Sequence, residues 1–185
     1  MLPFISVKRV PGWMAIVPKA GRVDLAYAIR PTNGGRPLLK RLDSFQMADG
    51  IGGALQRLRV SCKLGAHRCS TLLGAGEYHL AQMEAPAVPA GERAEALRWR
   101  FKDMVDFPVD AASIGVLDIP VDGVGNRQAM VYAVAASDAV VAARMSAFDA
   151  ARVPLDAIDI PELAQRNVAA LFEEPNRGLA FLHID

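Results

Sequence analysis

Between Glu77 and Phe172 the apolar positions recur with a period near two, then near 3.6, and the two periods alternate in a fixed order. Glu77–Glu84 predicts a short strand that Pro86–Gly91 breaks. An amphipathic helix is predicted over Glu92–Val105, ending before Pro108. Ser113–Val121 and Arg127–Ala136 predict two strands around a Gly/Asp/Asn-rich hairpin turn. A second helix is predicted over Asp138–Arg152, stopping before Pro154, with Leu155–Ile160 as a fourth strand. The segment therefore reads as a split βαββαβ unit, one sheet with both helices on one face.

The flanks carry a different pattern. Trp13–Val17, Val23–Ile29 and Leu38–Phe45 predict three antiparallel strands, separated by turns at Pro18–Arg22 and Pro31–Arg36. A helix follows from Asp49 to Leu64, with apolar residues at positions 51, 55, 58 and 62, and Ser70–Leu73 returns as a strand. Beyond the central unit, Pro161 opens a helix carrying Leu163, Val168, Leu171 and Phe172, which Pro175 and Asn176 terminate. Gly178–Ile184 predicts one more apolar strand. The expected class is α+β.

On a helical wheel, Ala94, Leu97, Phe101, Met104 and Val105 form the stripe that faces the sheet. Trp99 points the other way, among Glu95, Lys102 and Asp106. A tryptophan on a polar helix face either covers a neighbouring segment or anchors a partner, because indoles are enriched at interaction hot spots. Trp13, at the start of the first strand, is expected in the core, and Asp103, Asp106 and Asp110 at a solvated helix end.

Composition narrows the function classes. The 185 residues are 52% apolar, which supports one domain or two small ones with a real core. With 21 basic and 20 acidic residues the net charge is +1, so nothing favours nucleic acid as a partner. No run approaches the roughly 18 apolar residues of a membrane span. Met1–Val10 is too short and too interrupted for a signal peptide, and the chain reads as cytosolic. Cys62 and Cys69 lie near His67 and His79, but the spacing matches no zinc pattern, so buried thiols are expected and no metal. Gly74-Ala75-Gly76 lacks the third glycine of a dinucleotide loop, since His79 stands there, and reads as a hairpin turn. No serine, cysteine, histidine and aspartate set has catalytic spacing.

Three strands, a helix and a strand are the opening of the ribonuclease H-like half-domain found in actin-like ATPases. The run Ala85-Pro86-Ala87-Val88-Pro89-Ala90-Gly91-Glu92, then Ala96 to Asp103, then Phe107-Pro108-Val109-Asp110, resembles the matching segment of the PilM and MshI group of pilus-assembly proteins. The resemblance implies an actin-like first half with an inserted 1C-like subdomain: residues 1–84 with 161–177 as subdomain 1A, 85–160 as the insert, and 178–185 as the opening strand of a second half that this chain lacks. It further implies a cytoplasmic scaffold of a type IV, MSHA-like pilus machine, peripheral to the inner membrane. Such a scaffold binds the short N-terminal tail of a PilN- or MshJ-like inner-membrane protein. Trp99, Lys102, Asp103, Phe107 and Pro108 are the expected partner-binding residues, in a groove between the actin-like half and the insert.

Actin-like ATPases grip phosphate with an Asp-Ile-Gly-type turn after the first strand. Here Ile16 stands in place of the aspartate and Pro18 in place of the first glycine, leaving Lys19 as a residual anion contact. The second phosphate turn would follow Leu182-His183-Ile184-Asp185. The expectation is therefore no catalysis and no cofactor. The rivals are a fragment of an actin-like ATPase and the cytoplasmic part of a type II secretion L protein. The terminal strand is expected to be disordered or to pair with a second copy as a homodimer.

Overall fold

Met14, Ile16, Val23 and Leu25 alternate with half-buried neighbours, and this period of two makes the first hairpin. In this computed structural model, which describes residues 9–120, 128–174 and 177–182, β1 (Trp13–Lys19) and β2 (Arg22–Ile29) pair antiparallel from Trp13↔Ala28 to Lys19↔Arg22. The tight connection puts Gly21 at φ +71°, a left-handed conformation that costs glycine little. β3 (Leu38–Gln46) pairs antiparallel with β2, with a bulge at Tyr27/Ala28. Helix α1 (Gly50–Ser61) then lays Ala54, Leu55 and Leu58 on the sheet. A 3₁₀ turn at Leu64–Ala66 redirects the chain into β4 (Arg68–Leu72), parallel to β1.

The chain next forms β5 (Tyr78–Glu84), helix α2 (Arg93–Arg98), β6 (Ala112–Asp118), β7 (Met130–Ser137) and helix α3 (Asp138–Ala150). β8 (Ala157–Asp159) and helix α4 (Pro161–Ala169), with Pro161 in its first turn, complete the described elements. The larger sheet has the order β3-β2-β1-β4-β8, antiparallel through β1 and parallel beyond it. That is the ribonuclease H-like order, and the α+β class expected from the sequence is the one observed.

Two compact units result, Met1–Gly74 with Ser146–Asp185 and Ala75–Met145, the division falling within α3. The first unit buries Met14, Ile16, Val23, Leu25, Leu55, Leu58, Cys62, Leu64, Cys69 and Phe148 together. Phe148 is fully buried, and truncating such a ring to alanine costs about 3–5 kcal/mol. The second unit packs Leu97, Phe101 and Val109 against Met83, Val131, Ala133 and Ala135.

Several expectations need correcting. Leu155–Ile160 is not a fourth strand of the central sheet, which among the described residues is three-stranded and antiparallel in the order β5-β7-β6. Its strand portion, β8, pairs with β4 instead. The backbone of Asp156 donates to Cys69 O at 2.8 Å, Asp156 Oδ2 accepts from Cys69 N at 3.2 Å, and Leu73 N donates to Asp159 O at 2.9 Å. The open edge of β4 thus takes the bonds that a strand of this length needs. The expected insert, 85–160, and the second unit overlap only over 85–145, since β5 belongs to the second unit and β8 to the first.

Gly74-Ala75-Gly76 is likewise no hairpin turn, because β4 and β5 belong to different sheets; Gly76, at φ +82°, turns the connection between them. Trp13 is 41% exposed rather than core: it opens β1 on the sheet face away from Met14, and the Arg68 guanidinium covers its ring at 5.7 Å. Gly178–Leu182 forms no strand and joins neither sheet among the described residues, and Leu179, Phe181 and Leu182 are exposed. Most of Met1–Val10, the Gly/Asp/Asn-rich turn at 122–126, the Pro175-Asn176 stop and His183–Asp185 lie outside the described residues.

Candidate partner-binding face

Pro89 and the 3₁₀ turn Ala90–Glu92 launch α2, with Glu92 N donating to Pro89 O at 2.9 Å. Leu97 and Phe101, four residues apart, are both fully buried and nail this short helix to its sheet. Trp99, two residues past Leu97, must then face outward, and it is 60% exposed. It begins a 3₁₀ turn, Trp99–Phe101, so α2 ends at Arg98, seven residues before the Val105 that the periodicity predicted. The backbone amides of Met104 and Val105 both return to Phe101 O, at 2.9 and 3.2 Å, so the chain turns there. Met104 consequently leaves the apolar stripe and is 48% exposed.

Arginines fix this corner. Arg98 donates from Nη1 to Val109 O at 2.8 Å and Ala112 O at 2.6 Å, while its Nε meets Glu95 Oε2 at 2.9 Å. Arg100 Nη1 reaches Glu84 O at 3.0 Å, and Arg93 pairs with Asp118. Guanidinium bonds to carbonyls of this kind are charge-assisted and stronger than neutral ones. The expected residues occupy one continuous stretch: Trp99, Lys102, Asp103 and Pro108 are exposed, and Phe107 is half-buried against the core of the unit. Met104 is the exposed apolar member that helical periodicity missed, because the helix ends before reaching it.

The residues at the expected phosphate turn have other employment. Ile16 is fully buried in the core, Pro18 is registered opposite Val23, and Lys19 Nζ lies 3.6 Å from Asp24. A hydrogen bond from Ser44 and the neighbouring Arg22 hold the Asp24 carboxyl below the usual carboxylate range.

Cys62 and Cys69 are buried free thiols. Burial pushes the Cys69 thiol up to about 12, and its Sγ lies 3.7 Å from Leu64 O. His67 is buried, with its ring edge-on to Tyr27 at 4.8 Å, and burial lowers its pKa. His79 belongs to the other unit, edge-on to Phe101 at 6.1 Å. No group of three or more metal-ligating side chains occurs among the described residues. No described helix is long and apolar enough to cross a membrane.

No protein-family model matches the sequence, and no curated relative does. Solved structures do match. The chain superposes on one from a PilM-PilN type IV pilus biogenesis complex with a TM-score of 0.70 and 21% identity, covering 88% of this chain and 51% of that one. The likeness shows a shared fold. A second match is the cytoplasmic domain of EpsL, an inner-membrane component of the type II secretion system of Vibrio cholerae, with a TM-score of 0.56 and 15% identity over 82% of this chain and 58% of that one. The chain thus spans a little over half the length of these structures.

Proposed function

We propose that this protein is a non-catalytic, actin-like cytoplasmic component of an envelope-spanning machine, a type IV pilus in preference to a type II secretion system, and that it binds a PilN-like inner-membrane protein. The MshI-type scaffold of an MSHA-like pilus is the finer reading. The higher TM-score of the pilus complex, 0.70 against 0.56, favours the pilus. The observation that carries partner binding is Trp99, an indole 60% exposed on a corner immobilised by Arg98 and Arg100. A rigid, amphipathic ring on an ordered support gives up little entropy on association, which is what makes tryptophan an anchor. In the same stretch Lys102 and Asp103 add exposed charge beside Trp99 and Met104, while exposed Pro108 and half-buried Phe107 add apolar surface.

The test is calorimetric titration with a peptide of the partner's N-terminal cytoplasmic tail. Binding is expected, and Trp99→Ala should weaken it by about 2 kcal/mol or more. Unchanged affinity in a folded Trp99→Ala variant removes this face from consideration, and no binding by the unmodified chain removes the proposed function.

A further inference from the structure

A second feature lies in the first unit, at the end of β1 opposite the Lys19–Arg22 turn. A cavity of about 370 Å³ is lined by Arg9, Arg30 and Arg68 around Trp13, with Pro11 and Gly12 forming one wall. Its described lining includes no acidic residue. Arg9 is bonded to Asp156 at 2.6 Å, but Arg30 and Arg68 have no carboxylate partner among the described residues. All three arginines are exposed, and the charge that Arg30 and Arg68 bring to the lining is balanced by no carboxylate among the described residues.

The cavity is built rather than incidental. Val10 N donates to Ala66 O at 2.8 Å and the Tyr27 hydroxyl to Pro11 O at 2.7 Å, tying the wall to the fold at two successive residues. Gly12 sits at φ +96°, and a Cβ there would come within 2.3 Å of Ala28 O. The wall therefore approaches β2 as closely as backbone can, which only glycine permits. Arg68 over the Trp13 ring fixes the aromatic floor.

We infer that this cavity binds the phosphate group of a small phosphate ester. Guanidinium forks match phosphate oxygens in planar, bidentate fashion, and two of the three are free to do so. The volume is that of a small-molecule site, and the part of Trp13 that Arg68 leaves exposed, 41% of the residue, is apolar surface in its lining. The same chemistry would suit the phosphate of a lipid headgroup, and experiment separates the two sources.

The chain has two tryptophans, so Trp99→Phe leaves Trp13 as the sole indole reporter. This variant would be titrated at constant ionic strength with glycerol 3-phosphate, with glycerol as the uncharged control, and with vesicles of phosphatidylcholine containing phosphatidic acid. A saturable change in Trp13 emission with glycerol 3-phosphate but not glycerol is expected. Arg30→Gln and Arg68→Gln, each added to Trp99→Phe, should weaken it at least tenfold with unchanged circular dichroism. A response to vesicles alone, lost in the same variants, assigns the phosphate to a lipid. No saturable response to either, or an affinity that both arginine variants leave unchanged, overturns the site.

Discussion

The Arg98 guanidinium lies 2.6 Å from the carbonyl oxygen of Ala112 and shares its Nη1 with Val109 O, so one side chain joins the end of α2 to the start of β6. The bond holds the Trp99 corner at a fixed height above its sheet. Removing it leaves two carbonyls without their charged donor.

Arg98→Met should therefore destabilise the protein by about 2 kcal/mol, the usual contribution of hydrogen bonds to a charged group. Arg98→Lys should recover little of that, since an ammonium lacks the guanidinium's several donors in a fixed fork. Urea denaturation followed by circular dichroism measures both. A loss below about 0.5 kcal/mol in Arg98→Met, the range of ordinary surface changes, would show that these bonds do not hold the corner.

Much of this corner was legible in the sequence. A 3.6-residue period places Leu97 and Phe101 inward and Trp99 outward whatever ends the helix, and all three lie there. Met104 escaped because it lies beyond the 3₁₀ turn, where the period no longer applies. The first hairpin and α1 were legible because alternation and helical spacing are local signals. Which sheet β8 joins was not: its residues suit either edge, and the deciding bonds to Cys69 and Leu73 come from residues more than 80 positions away. Trp13 misled for a related reason, since an apolar residue opening a strand looks the same whether its face is covered or open.

Stability should fall on both sides of neutrality. His67 is neutral in the fold, its pKa held below the usual 6.5 by burial. The unfolded chain takes up that proton first, so this contribution is present above about pH 6.5 and is lost as pH drops through the lowered value. Cys69 works in the opposite direction. Burial raises its pKa to about 12 from 9.0, so the thiol's contribution is intact below about pH 9 and is lost as pH rises towards 12. In His67→Gln the acid side of a Tm-against-pH curve should flatten relative to the unmodified protein. An identical acid limb would exclude His67 as its source. Cys69 should also resist thiol reagents at pH 8 until the protein is denatured.

Leu179, Phe181 and Leu182 are 45, 50 and 81% exposed and lie within four residues of one another. Apolar backbone without a ladder is a template for pairing with another chain. The intact chain should self-associate through this segment, and a version ending at Asn176 should be monomeric at the same concentration by sedimentation velocity. A dimer that persists after the deletion places the contact elsewhere.

The last prediction concerns nucleotide. Three features oppose a phosphate at the β1–β2 connection. Pro18 has no N–H to donate, Ile16 is fully buried where an acid would have to orient a metal, and the Asp24 carboxylate already accompanies Lys19 at 3.6 Å. Ser44 and Arg22 lower the pKa of Asp24, so it is ionised at neutral pH and engages Lys19 and Arg22, the two cations an incoming triphosphate would otherwise use. Calorimetric titration with Mg-ATP should give no binding tighter than millimolar, and a low micromolar dissociation constant would overturn the non-catalytic reading. The site should also resist reconstruction. Ile16→Asp buries a carboxylate in the core beside Met14 and Leu25, where an unpaired charge costs about 3–5 kcal/mol, so the variant should unfold before it gains any affinity for Mg-ATP.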